Sequence, residues 1–100
     1  MFFVGKCREL YKDEKLPSIM DMVGETPHKS KDKILQYLKN GKKGSVAAGR
    51  AYDVIENKPI QGEFCCYNDG EYVWRSDTIY YFEKYNLTLD SEFITHILKH

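Results

Sequence analysis

One hundred residues, 42% hydrophobic and 30% charged, predict a single soluble domain over residues 1–100 with one core. No apolar run reaches the roughly 18 residues of a membrane span. The opening MFFVGKCREL lacks the basic lead and long apolar stretch of a signal peptide, so the expected location is the cytoplasm. Three cysteines, two of them adjacent at Cys65 and Cys66, cannot build a disulfide framework and read as reduced thiols. The formal charges cancel, but residues 1–50 carry 11 Lys+Arg against 6 Asp+Glu, and residues 51–100 carry 4 against 9. Such polarity can steer a charged partner.

In chain order, residues 1–8 read as a short strand or an irregular apolar segment, and Tyr11 to Lys15 as a charged loop. Leu16-Pro17-Ser18 opens a short helix with Ile19, Met20 and Val23 on one face, which stops at Gly24. Ser30 then caps a helix from Lys31 to Asn40, whose Ile34, Leu35 and Leu38 share one face while its lysines take the other. Gly44 to Ile55 alternates as a strand, closed by Asn57-Lys58-Pro59.

The strongest local signal lies between Phe64 and Arg75, where aromatic and β-branched residues flank Asp69-Gly70. A two-residue turn at Asp69-Gly70 predicts that Tyr67 faces Tyr72 and Cys65 faces Trp74. Phe64, Cys66 and Val73 then form a core face. Cys65, Tyr67, Tyr72 and Trp74 form a second face, either covered by a helix or open to a partner. Helices follow over Asp77–Tyr85 and Asp90–Lys99, with Lys99 and His100 at the negative end of the last helix dipole. The expected class is α+β: a small antiparallel three-stranded meander with two helices before it and two after.

Chemistry is harder to find. The three histidines are not placed near a cysteine by any pattern, and neither CxxC nor HExxH spacing occurs. Gly41-Lys42-Lys43-Gly44-Ser45 has the wrong spacing for a phosphate loop and sits after a helix rather than before one. No cofactor and no enzymatic activity are expected. Two binding readings remain. Lys29, Lys31, Lys33, Lys39, Lys42 and Lys43 could hold nucleic acid, but only three arginines occur and the aromatic hairpin is acidic. The alternative is a protein interface on Tyr67, Asp69, Glu71, Tyr72, Trp74 and Asp77, with aromatic anchors and an acidic rim suited to a basic partner.

The run D-G-E-Y-x-W-x-S-D from Asp69 to Asp77, the E-K-Y-N-L of residues 83–87 and the preceding KDKILQYLKNG resemble small bacterial immunity proteins encoded beside polymorphic or contact-dependent toxins. The resemblance covers roughly residues 30–98. It implies a compact cytoplasmic protein without catalysis that binds a toxin, in this case a basic one such as a nuclease. No binding residue transfers from it.

Overall fold

The Asp69 carboxylate decides how the central hairpin closes. Its Oδ1 accepts the backbone N–H of Glu71 at 2.9 Å and of Tyr72 at 2.7 Å. The turn therefore centres on Gly70-Glu71 rather than Asp69-Gly70, and Gly70 takes the positive φ of +94° that a glycine-first turn needs. In the computed structural model, which describes residues 1–99, β5 (Cys65–Asn68) and β6 (Tyr72–Arg75) consequently pair Tyr67 with Trp74 and Asn68 with Val73. The expected partners slip by two positions. Because side chains alternate, the membership of each face survives the slip, and of the two outcomes expected for the second face, cover by helices is the one that occurs.

The face of Cys65, Tyr67, Tyr72 and Trp74 is the one that packs into the main core. Trp74 is 0% exposed, donates its indole N–H to the Leu38 carbonyl at 3.0 Å and lies 5.4 Å from the Phe93 ring. Two helices cover it: α2 (Lys31–Lys39) and α4 (Ser91–Leu98), which bury Ile34, Leu38, Phe93 and Ile97. The opposite face meets a four-residue helix, α1 (Arg8–Tyr11), through Arg75, whose guanidinium bonds the Leu10 carbonyl at 2.8 Å and lies over the Tyr11 ring. Both faces of the hairpin are thus covered. His100 lies outside the described residues.

Around β5–β6 the sheet is mixed and four-stranded, in the order β1-β6-β5-β2. A short β1 (Phe2–Phe3) runs parallel to β6, and β2 (Lys42–Val46) runs antiparallel to β5 on the other edge. The α+β class holds, with four α-helices among the described residues, but the sheet is not a three-stranded antiparallel meander. The strand expected over Gly44–Ile55 is broken. Only its first part follows β5. The chain then bends away and forms a separate two-stranded ribbon, β3 (Tyr52–Asp53) with β4 (Lys58–Pro59). Of the helix expected after Leu16, a single 3₁₀ turn over Ile19–Asp21 forms, braced by Glu9, which accepts from the Ile19 N–H and the Ser18 hydroxyl.

Asp53 explains the break. It is fully buried and accepts the Tyr80 and Tyr85 hydroxyls, both at 2.6 Å, and the N–H groups of Ile55 and Glu56, both at 2.8 Å. Tyr80 and Tyr85 belong to α3 (Ser76–Tyr85), so one carboxylate ties the ribbon to that helix. Burial alone would push the Asp53 carboxyl up, but its hydrogen bonds outweigh burial and hold it at about 2. A carboxyl depressed in the folded state favours folding above its unfolded value of 3.8, and that contribution is lost as pH falls toward 2. We expect it to be worth on the order of 2 kcal/mol at neutral pH. Acid titration of stability by urea denaturation should show this limb in the wild type. In Asp53→Asn the limb should be shallower, the depressed carboxyls of Glu56 and Asp69 still contributing, and the neutral-pH stability already lower. An unchanged acid limb would refute the assignment.

Candidate protein interface

The tip of the β5–β6 hairpin is held rigidly by a four-bond carboxylate. Besides its two backbone bonds, Asp69 takes the Tyr37 hydroxyl from α2 at 2.5 Å and faces His96 Nε2 of α4 at 3.0 Å, both on Oδ2. Burial opposes ionisation of Asp69, but the bonds from Tyr37, Tyr72, Glu71 and His96 prevail and hold its carboxyl below the usual range. Burial, and then the same bond, raise the Tyr37 phenol. One acid thereby locks the turn onto two helices, and the next acid, Glu71, projects from it with a side chain 58% exposed.

Tyr72 stands beside the tip. Its ring lies 4.9 Å from Phe93 and 4.9 Å from His96, so its inner side is core and its outer side is surface. Burial, and then the charges of Glu71, Glu92, Asp69 and Asp90, push its phenol up. Those four carboxylates come from the turn and from the start of α4, two segments that the sheet edge brings together.

The six candidate residues therefore divide. Glu71 is exposed, and Asp69, Tyr72 and Tyr67 are half-buried, Tyr67 being paired with Lys43 of β2 and with Trp74. Trp74 and Asp77 are buried within the chain and present no surface. Trp74 fills the core, and Asp77 is 1% exposed in a bidentate pair with Arg75 at 3.0 and 2.8 Å. Their positions follow from helix coverage, which a strand pattern alone does not report.

The lysines do not form one free cationic strip. Lys31 bonds the Glu83 carbonyl and the Asn86 side chain, Lys39 pairs with Glu83, and Lys43 pairs with Glu63. Lys33 reaches the Leu98 carbonyl at 3.5 Å, while Lys29 and Lys42 are exposed. Acids beside the lysines oppose phosphate binding.

Burial raises the thiols of Cys7 and Cys66, away from the reactive thiolate. His96 faces Asp69 and Glu71. Among the described residues no three His, Cys, Asp or Glu side chains are grouped to hold a metal ion, and no helix is long and apolar enough to cross a membrane. The chain matches no protein-family model, no curated protein and no solved structure.

Sequence reasoning missed His96, which reads as a boundary residue but ties α4 to the turn. It also missed Phe2, Phe3, Asp90 and Glu92, which complete the surface around Tyr72. The available signal was the pair Phe2-Phe3 itself, since adjacent strand residues point to opposite faces and cannot both enter one core.

Proposed function

We propose that the protein is a protein-binding module that neutralises a basic toxin domain, acting as a bacterial cytoplasmic immunity protein. The observation that carries this reading is the Asp69 hub. Four hydrogen bonds fix an acidic tip before any partner arrives, and a pre-organised surface loses little entropy on binding. Glu71 and Tyr72 supply charge and aromatic area beside that hub, as an inhibitor of a phosphate-binding active site would need. The protein acts by contact rather than catalysis, and its partner's basic cleft is the surface it covers. A nucleic-acid role for Lys29, Lys31, Lys33, Lys39, Lys42 and Lys43 has the pairing with Glu63 and Glu83 against it.

The test is affinity capture from the source bacterium with the full chain and with Glu71→Lys. The wild type should retain one basic protein, and the variant should retain it at least about tenfold more weakly, a difference of about 1.4 kcal/mol. Equal thermal melting of the two proteins establishes that the fold is intact. Retention of RNA or DNA instead, or equal retention by both, overturns the proposal.

A further inference from the structure

Three consecutive large apolar residues remain uncovered at the β1 edge: Met1 is 72% exposed, Phe2 69% and Phe3 46%. They adjoin a cleft of about 280 Å³ walled by Phe2, Phe3, Val4, Tyr72, Asp90 and Glu92. Lys6 also lines it, so the wall carries two acids against one cation. Phe2 packs 6.2 Å from the Tyr72 ring, which makes the aromatic surface continuous with the hairpin tip and Glu71.

The backbone is also open here. Phe2 N–H bonds the Glu71 carbonyl at 2.9 Å and Val4 N–H bonds the Val73 carbonyl at 3.0 Å, so both point at β6. By strand alternation the N–H and C=O of Phe3 point the other way, off the sheet edge. Asp90 already occupies the next outward donor, accepting Gly5 N–H at 3.0 Å.

We propose that this edge is a docking surface for an extended basic segment of a partner protein, one that alternates Lys or Arg with an apolar side chain. The apolar side chain enters the cleft against Phe2 and Tyr72, and the cations meet Glu92, Asp90 and Glu71. The choice of occupant rests on charge. A second copy docked face to face would set these acids against their own equivalents, and an anionic lipid surface would be repelled. This assignment rests on the protein-binding reading above and names the partner's chemistry.

Its test uses isotope-labelled full-length protein and two synthetic peptides of equal length, one alternating lysine with leucine and one with glutamate for lysine. The basic peptide should shift the amide signals of Phe2, Phe3, Tyr72 and Glu92, and the acidic peptide should not. Phe2→Ser and Glu92→Lys, each at an exposed site, should weaken binding at least about tenfold while both variants still melt cooperatively, Glu92→Lys a few degrees lower because it opposes the α4 dipole. Shifts confined to Asp69 and Glu71, or none, would overturn this surface. So would peptide-independent dimerisation through the edge, or preferential binding to phosphatidylglycerol vesicles. The two proposals fail separately. Peptide binding with no captured protein removes the inhibitor role alone, and capture that Phe2→Ser and Glu92→Lys leave intact removes this edge alone.

Discussion

Trp74→Ala should destabilise the protein by about 3–5 kcal/mol, the usual cost of emptying a large aromatic site in a core. The indole is the point at which the sheet, α2 and α4 meet. It is 0% exposed, lies 6.0 Å from the Tyr37 ring and 5.4 Å from the Phe93 ring, and bonds the Leu38 carbonyl. The corner after α2 is fitted to it so closely that a Cβ on Gly41 would fall 2.5 Å from Trp74 Cζ2. Domains of this size have only about 5–15 kcal/mol in total, so the variant should populate unfolded chain under mild conditions. Trp74→Phe retains most of the buried ring and removes the indole donor, and should lose much less, on the order of 1–2 kcal/mol. Urea denaturation followed by far-UV circular dichroism measures both, since Trp74 is the only tryptophan and its loss removes the fluorescent probe. A loss below about 1 kcal/mol for the alanine variant would contradict the core placement.

Arg75→Met should cost a similar amount, about 3–5 kcal/mol, because it strands a buried charge. The Asp77 side chain is 2% exposed, and Arg75 meets both of its oxygens while resting 4.9 Å over the Phe64 ring and bonding the Leu10 carbonyl. Methionine keeps some of the packing and none of the charge. Burial raises the Asp77 carboxyl, and Arg75 is the main influence opposing that rise. The pH dependence is therefore opposite in sign to that of Asp53. A carboxyl raised in the folded state binds its proton more tightly there than in the unfolded chain. Its effect disfavours folding progressively as pH climbs past the unfolded value of 3.8. Removing Arg75 enlarges that effect, so the deficit should be greatest near neutral pH and shrink on acidification. The double variant Arg75→Met/Asp77→Leu should recover most of the loss, because no unpaired charge remains. Equal deficits at both ends of the pH range would show that lost packing, not the stranded carboxylate, governs the effect.

The elements that sequence reasoning located well are those whose pattern is local. α2, α3 and α4 occur within a residue or two of expectation because Ile34 and Leu38, Ile79 and Phe82, and Phe93 and Ile97 each mark a helical stripe. The hairpin was legible for the same reason, but its register was not. Asp69 bonds forward to two amides and moves the turn by one residue, which a dipeptide preference cannot reveal. The interruption after Val46 was illegible because it depends on Tyr80 and Tyr85, more than 25 positions away. For the interface, Glu71 and Tyr72 could be read from the hairpin alone. Asp90 and Glu92 could not, since the packing of α4 on the hairpin brings them beside Tyr72, and Phe2 and Phe3 carried a signal only in being adjacent, since a parallel pairing across the whole chain sets their place.

That parallel pairing also bears on how the protein is made. Phe3 sits opposite Val73, a separation of 70 residues. Contacts so distant along the chain slow folding, because the loop between them must close before they contribute. At roughly 5–20 residues per second, translation leaves Phe2 and Phe3 waiting some 4–14 seconds for their partner strand to be synthesised. During that interval the nascent chain carries a naked aromatic segment, the kind of stretch that chaperones hold and that drives aggregation when they do not. Variants that blunt this edge should therefore yield more soluble protein from rapid expression, even where the stability of the finished fold is unchanged.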